Sequence, residues 1–121
     1  EQPLTGAVIT SFNVGARLGV LGKPIAATPE LTDALAKMTV VMRDQDGKEL
    51  GKAPGAAILG HPLNAVIWMA RDLAKTGGRL RAGDMLSLGS FTAPQFTKPG
   101  TRVTVTYEGL PGNPSVSVRF K

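Results

Sequence analysis

Residues 56–94 read AAILGHPLNAVIWMARDLAKTGGRLRAGDMLSLGSFTAP, and the fold is decided by how this stretch is punctuated. Pro62 suits a first helical turn, where a missing N–H costs nothing, and Gly77-Gly78 supply a stop. Between them Leu63, Val66, Ile67, Ala70, Leu73 and Ala74 recur at the spacing of one helix face. The spacing predicts a helix over about 62–76. Asn64, Arg71, Asp72 and Lys75 occupy the other side with Trp68 among them, which marks Trp68 as contact surface. Ala82-Gly83-Asp84 then reads as a turn into a strand over Met85–Gly89, closed by Gly89-Ser90-Phe91-Thr92.

Working outward, Gly6–Phe12 (GAVITSF) is apolar and β-branched and reads as a strand. The glycine-broken segment Asn13–Gly22 reads as a second strand or an irregular buried segment. Pro29–Ala36 reads as one or two helical turns capped by Thr28. Met38, Val40 and Met42 alternate with their neighbours up to Asp46-Gly47, a hairpin signal, with Lys48–Lys52 returning. Two further alternating runs, around Val103–Tyr107 and Val116–Phe120, flank the loop Gly109–Pro114. Five to seven strands and one principal helix predict a single α+β, mainly β domain over residues 1–121.

Composition narrows the chemistry. Cysteine is absent, which excludes disulfides, thiolate nucleophiles and cysteine-held zinc. His61 is the only histidine, too few for a histidine metal site. It lies before Pro62, where it caps or packs, or else serves as a proton shuttle or substrate contact. The carboxylates are scattered: Asp44 and Asp46 flank the hairpin turn, Asp72 is on the polar helix side, and Asp84 sits in a tight turn. No metal ligand set is read among them. The formal charge of +5 comes without stacking aromatics or a recognition motif, so no nucleic-acid partner is expected. No run approaches the roughly 20 apolar residues of a membrane span, and no leader pattern is visible. What remains is Gly89–Thr92, whose hydroxyls and backbone N–H groups suit an acid or an enolate oxygen.

GAAILGHPLNAVIWMARDL (55–73) is similar to a GAAVLGHP-x-NA-x-x-WLA pattern, and RAGDMLSLGSFT (81–92) to RAGD-x-(V/L)-LSGS-(L/F)-T. Both patterns belong to the 2-keto-4-pentenoate hydratases of the fumarylacetoacetate-hydrolase-like superfamily. VTVTYEGL (103–110) and SVSVRFK (115–121) resemble that family's closing strands. SFNVGARLGVLG (11–22) resembles an Asn-containing segment before a VLG strand, with Asn13 at the Asn.

The resemblance implies a mixed-strand roll or barrel of the fumarylacetoacetate-hydrolase C-terminal type. It implies a hydro-lyase acting on 2-oxo (2-hydroxy-dienoate) acids, or a related lyase or decarboxylase step, with Mg or Mn polarising the substrate. On it Ser90 and Thr92 bind the acid end beside Gly89, Asn13 lines the pocket and His61 borders it. Leu88 departs from the family's Ser. The family's Glu-x-Glu (or Glu-x-Asp) pair and third metal-binding Glu have no counterpart here, the third being expected shortly before Glu1. With no initiator Met either, the sequence is expected to be the C-terminal part of a longer catalytic domain, docking a missing N-terminal half or a second copy through the Trp68 face. The expected location is cytoplasmic, with a secreted or periplasmic one left open. The alternative is a non-catalytic domain of the same fold that binds a small acid or a partner.

Overall fold

A computed structural model describes residues 5–11, 16 and 18–121. Three helices, α1 (Gly6–Ser11), α2 (Pro29–Lys37) and α3 (Pro62–Lys75), accompany four strands, β1 (Thr39–Asp44), β2 (Glu49–Pro54), β3 (Arg102–Glu108) and β4 (Ser115–Arg119). The strands form one antiparallel sheet in the order β2-β1-β3-β4. The arrangement is α+β around this sheet. Among the described residues no helix is long and apolar enough to cross a membrane.

The hairpin forms where Asp46-Gly47 predicts it. Gly47 takes φ +81°, and Asp44 Oδ1 accepts from the amides of Asp46 and Lys48, both at 2.9 Å. The turn therefore rests on a local side-chain bond as well as on glycine's left-handed freedom. The return strand is β2, displaced to Glu49–Pro54 with a register shift after Met42. Thr28 caps α2 as expected, its hydroxyl accepting from the Leu31 amide at 3.3 Å. A backbone N–H, then the Thr28 hydroxyl, hold the exposed Glu30 carboxyl below the usual carboxylate range. That contribution to the start of α2 is present at neutral pH and fades as acid protonates Glu30.

Three expectations are corrected. Gly6–Ser11 is helical, not a strand: Thr5 Oγ1 accepts from the Val8 amide at 3.3 Å and Ser11 Oγ donates to the Val8 carbonyl at 2.7 Å. Local capping wins because this run pairs with no strand of the sheet. Met85–Gly89 forms no strand; it runs irregularly along one side of the sheet, with Met85 72% exposed. Residues 18–22 carry no regular structure, and Leu18, Val20 and Leu21 are exposed rather than buried. The sheet of the described residues thus has four strands rather than five to seven, and all its pairings are antiparallel.

Side-chain parity gives the sheet an apolar and a polar face. Val40 and Tyr107 lie opposite one another, as do Met42 and Val105, Val105 and Val116, and Val103 and Val118. On this face Met38, Val40 and Leu110 form the core, with Leu31, Ala34 and Leu35 of α2 and with Phe91, Val105 and Tyr107 packed against it. Val41, on the polar face, is nevertheless fully buried. Arg43 stands opposite Thr104 and Glu108 opposite Thr39, so their 3.5 Å ion pair reaches across Val41 and Thr106. The aliphatic stems of that pair roof the valine.

Gly55 locks the layers together. It opens a 3-10 turn (Gly55–Ala57), is buried, and donates its N–H to the Met38 carbonyl at 2.8 Å. A methyl there would overlap the Leu35 carbonyl oxygen and approach Met38 Cγ to 3.1 Å. Gly55→Ala is expected to cost about 3 kcal/mol or more, because the obstacle is backbone and cannot rotate away. Denaturant unfolding checks this; a loss below about 1 kcal/mol would mean that α2 slides freely on the sheet.

Candidate functional site

Residues 85–97 cross the apolar face and separate two cavities. The larger, a cleft of ≈ 740 Å³, is walled by Met85–Gly89 and Phe91 on one side and by residues 19–23 and Ile25 on the other. Met38, Ile58, Tyr107 and Leu110 contribute further apolar lining, and Lys23 is the one charged group among the described residues that line it. The smaller, a hollow of ≈ 300 Å³, is lined by Ser90, Thr92, Gln95 and Thr97 over Met42, Val103, Val105 and Val118. Alternation along the segment makes this division: Gly89 and Phe91 line the cleft, Ser90 and Thr92 the hollow.

Thr92 is half-buried and packs against β2. A Cβ built on Gly51 would meet Thr92 Cγ2 at 2.6 Å and Oγ1 at 3.5 Å, so the missing side chain at Gly51 is what lets Thr92 settle there. Gly89 takes φ +122°, with Ile58 Cδ1 the nearest atom to a Cβ placed there, at 3.8 Å. That backbone, which side chains rarely adopt, turns the chain out of the cleft wall ahead of Ser90.

His61 caps α3. Its Nδ1 accepts from the Leu63 amide at 3.1 Å, which places the ring proton on Nε2, 2.9 Å from the Thr32 carbonyl of α2. Both ring nitrogens thus serve backbone groups, and His61 lines neither cavity, although its neighbour Pro62 lines the cleft. Asn13 lies outside the described residues. The sequence pattern gave no signal for Lys23 or for the 19–25 wall, because those residues reach the cleft only through the fold.

No three His, Asp or Glu side chains come together to hold a metal among the described residues. Four of the carboxylates have other work. Asp44 holds the hairpin, Asp84 accepts from the Arg81 amide at 2.7 Å, Asp72 pairs with Lys75 at 2.8 Å, and Glu108 pairs with Arg43. A hard divalent ion needs several oxygens converging on one point. The described residues do not fit one.

The chain is 38% identical over 90 residues to the 4-oxalocrotonate decarboxylase of Pseudomonas putida, a match covering 74% of this chain and 33% of that protein. It is 34% identical over 98 residues to the 2-keto-4-pentenoate hydratase of Paraburkholderia phymatum, covering 81% of this chain and 36% of that protein. The solved structure of 4-oxalocrotonate decarboxylase from Pseudomonas putida G7, complexed with calcium and acetate, superposes with a TM-score of 0.65 at 39% identity, over 73% of this chain and 32% of that one. The chain belongs to the 2-keto-4-pentenoate hydratase and 4-oxalocrotonate decarboxylase family. It spans about a third of the length of these relatives. The same decarboxylase has also been solved with magnesium and adipate, so that relative takes up divalent cations. No protein-family model matches the chain.

Two measurements check this description. His61→Ala should cost about 1–2 kcal/mol through loss of the cap and of the tie to α2, with His61→Asn recovering part of it; equal stability of all three proteins would remove His61 from both roles. Calorimetric titration of the chain with Mg or Mn should show no stoichiometric micromolar binding, and such binding would reveal a ligand set beyond the carboxylates described.

Proposed function

We propose that this chain is the substrate-side part of a hydro-lyase of this family that acts on 2-oxo (2-hydroxy-dienoate) acids. In this reading the metal, Mg or Mn, is held by carboxylates outside residues 1–121, in a preceding part of the same catalytic domain. The observation that carries it is the 38% identity to the decarboxylase, obtained from a chain without a converging carboxylate set of its own among the described residues.

The wall formed by Gly89–Thr92 receives the substrate's acid end. Ser90 and Thr92 offer hydroxyls from the hollow, and the backbone N–H groups of the same segment are available to a carboxylate or an enolate oxygen. The resemblance assigns Asn13 to the same pocket, and His61, fixed as the cap of α3, borders the neighbouring cleft through Pro62. The open sheet completes the mixed roll or barrel of the family with strands from the rest of the domain.

The exposed apolar side of α3 supports that assembly. Ile67 is 48% and Trp68 62% exposed, and Leu59 and Leu63 are exposed beside them. Covering such area is favourable by roughly 25 cal/mol per Å². The preceding part of the domain is the proposed cover, with a second copy of the chain as the other outcome of a sedimentation test. The setting proposed is cytoplasmic.

Thr92→Val tests the site on the complete polypeptide. The branched shape against Gly51 is kept, so stability should change by less than about 1 kcal/mol. Catalytic efficiency, normalised to folded protein, should fall by about 1–3 kcal/mol in transition-state terms, the usual cost of leaving a charged partner one hydrogen bond short. Unchanged efficiency would take Thr92 out of the site.

A further inference from the structure

The polar face of the sheet carries an arrangement that the acid site does not use. Arg102 lies directly opposite Arg119, Thr104 opposite Ser117, and Thr106 opposite Ser115. The bonds from the Phe120 amide to the Thr101 carbonyl and from the Tyr107 amide to the Pro114 carbonyl place the odd-numbered β3 residues in the hydrogen-bonded pairs. The three pairs on the polar face are therefore the non-hydrogen-bonded kind, whose side chains stand closest, with Cβ atoms about 4.5–5.5 Å apart. Thr104 and Ser117 use that closeness, their hydroxyls lying 2.7 Å apart.

Arg102 and Arg119, both exposed, are set just as close with like charge, a pairing that opposes the sheet. The ion pairs of the described residues are Arg43–Glu108 and Lys75–Asp72, and neither arginine takes part. Glu108 shares the face but lies six residues along β3 from Arg102, about 20 Å away. Glu49 faces Arg43 from β2, two strands and about 10 Å from β3. Asp44 is committed to the hairpin amides. Asp46 is the nearest carboxylate; it accepts from Gln45 Nε2 at 2.8 Å, while Gln45 Oε1 accepts from the Arg102 amide at 3.1 Å. Asp46 pairs with neither guanidinium. Lys121, two residues beyond Arg119, adds to the positive end.

We propose that Arg102, Arg119 and the Thr104–Ser117 hydroxyl pair form a binding site for a phosphate-class dianion, either free phosphate or the phosphoryl group of a small ester. Two guanidinium forks and the one hydroxyl proton that the Thr104–Ser117 bond leaves free, at one end of a rigid sheet, match a tetrahedral oxyanion. Arg43, beside Thr104 on β1, is held by a 3.5 Å contact to Glu108 and lies next to the same hydroxyls. Binding removes the like-charge opposition across β3 and β4, so occupancy and sheet stability are linked.

The test is thermal unfolding of the full chain with inorganic phosphate or with sodium chloride at matched ionic strength, together with calorimetric titration of phosphate. Phosphate should raise Tm where chloride does not. Arg119→Gln and Arg102→Gln should each match or exceed the unaltered chain in chloride, lose the phosphate increment, and bind phosphate about tenfold or more weakly. Arg71→Gln, on α3, should keep the increment. Glycerol phosphate run alongside identifies the source, binding more tightly than free phosphate if an ester is preferred. Equal effects of phosphate and chloride, or an increment that survives both sheet variants, would overturn the proposal. Should a variant fail to fold, amide shifts in the unaltered chain decide: phosphate must move the resonances around Thr104, Ser117 and Arg119, and their silence overturns the site.

Discussion

The contact between Gly55 and the backbone of Leu35 sets the geometry of everything above the apolar face. The Gly55 N–H bonds the Met38 carbonyl just as the chain leaves β2, which places the end of β2 against the exit of α2. With no side chain to hold them apart, α2 comes down far enough for Leu31, Ala34 and Leu35 to reach Met38 and Val40. Ile58 then lands buried at the cleft, and His61 comes within 2.9 Å of the Thr32 carbonyl, where it starts α3. A hydrogen bond and a missing Cβ thus fix the relation of sheet, α2 and α3, because interiors tolerate little added volume.

Residues 85–97 depend on that frame and add little regular structure to it. They form no strand, yet they wall both cavities and carry the Gly89–Thr92 segment. Their placement relies on packing: Phe91 inserts toward the core while Thr92 fills the space above Gly51. A peptide seated by side chains can present hydroxyls and N–H groups to a ligand, because its own backbone is not used up in a ladder. The same segment offers donors for an acid, while Asp44 holds a hairpin, Asp84 a turn, and Asp72 and Glu108 an ion pair each.

The two faces of the sheet follow different rules. The apolar face is filled by α2 and by irregular segments, which leaves a large open cleft. The polar face is finished by its own side chains, with the Arg43–Glu108 pair closing over Val41 and the Thr104–Ser117 bond joining β3 to β4. An ion pair this exposed contributes little by charge alone, and its larger effect is to keep water from a buried valine. At the far end the same face holds two arginines opposite each other, where the register places charge without neutralising it.

Features fixed by a few neighbouring residues were legible in the sequence. The Thr28–Pro29 start of α2, the Asp46-Gly47 turn, the Asp84 turn bond and the span of α3 each depend on contacts within about four positions, so residue types announce them. The alternation of β3 and β4 was equally plain, since a half-buried strand writes its period of two into the chain. Gly6–Ser11 and Met85–Gly89 were misread because an apolar, β-branched run becomes a strand only beside a partner with free backbone groups, and among the described residues neither run pairs with a strand. The motif around Gly89–Thr92 could be recognised, but its division between a cleft and a hollow, and the covering of Gly51 by Thr92, exist only once residues forty positions apart in sequence are packed together. Lys23 in the cleft and the opposed Arg102 and Arg119 belong to the same class. Long-range register and packing placed them, and no local pattern encodes a neighbour that the chain meets only after folding.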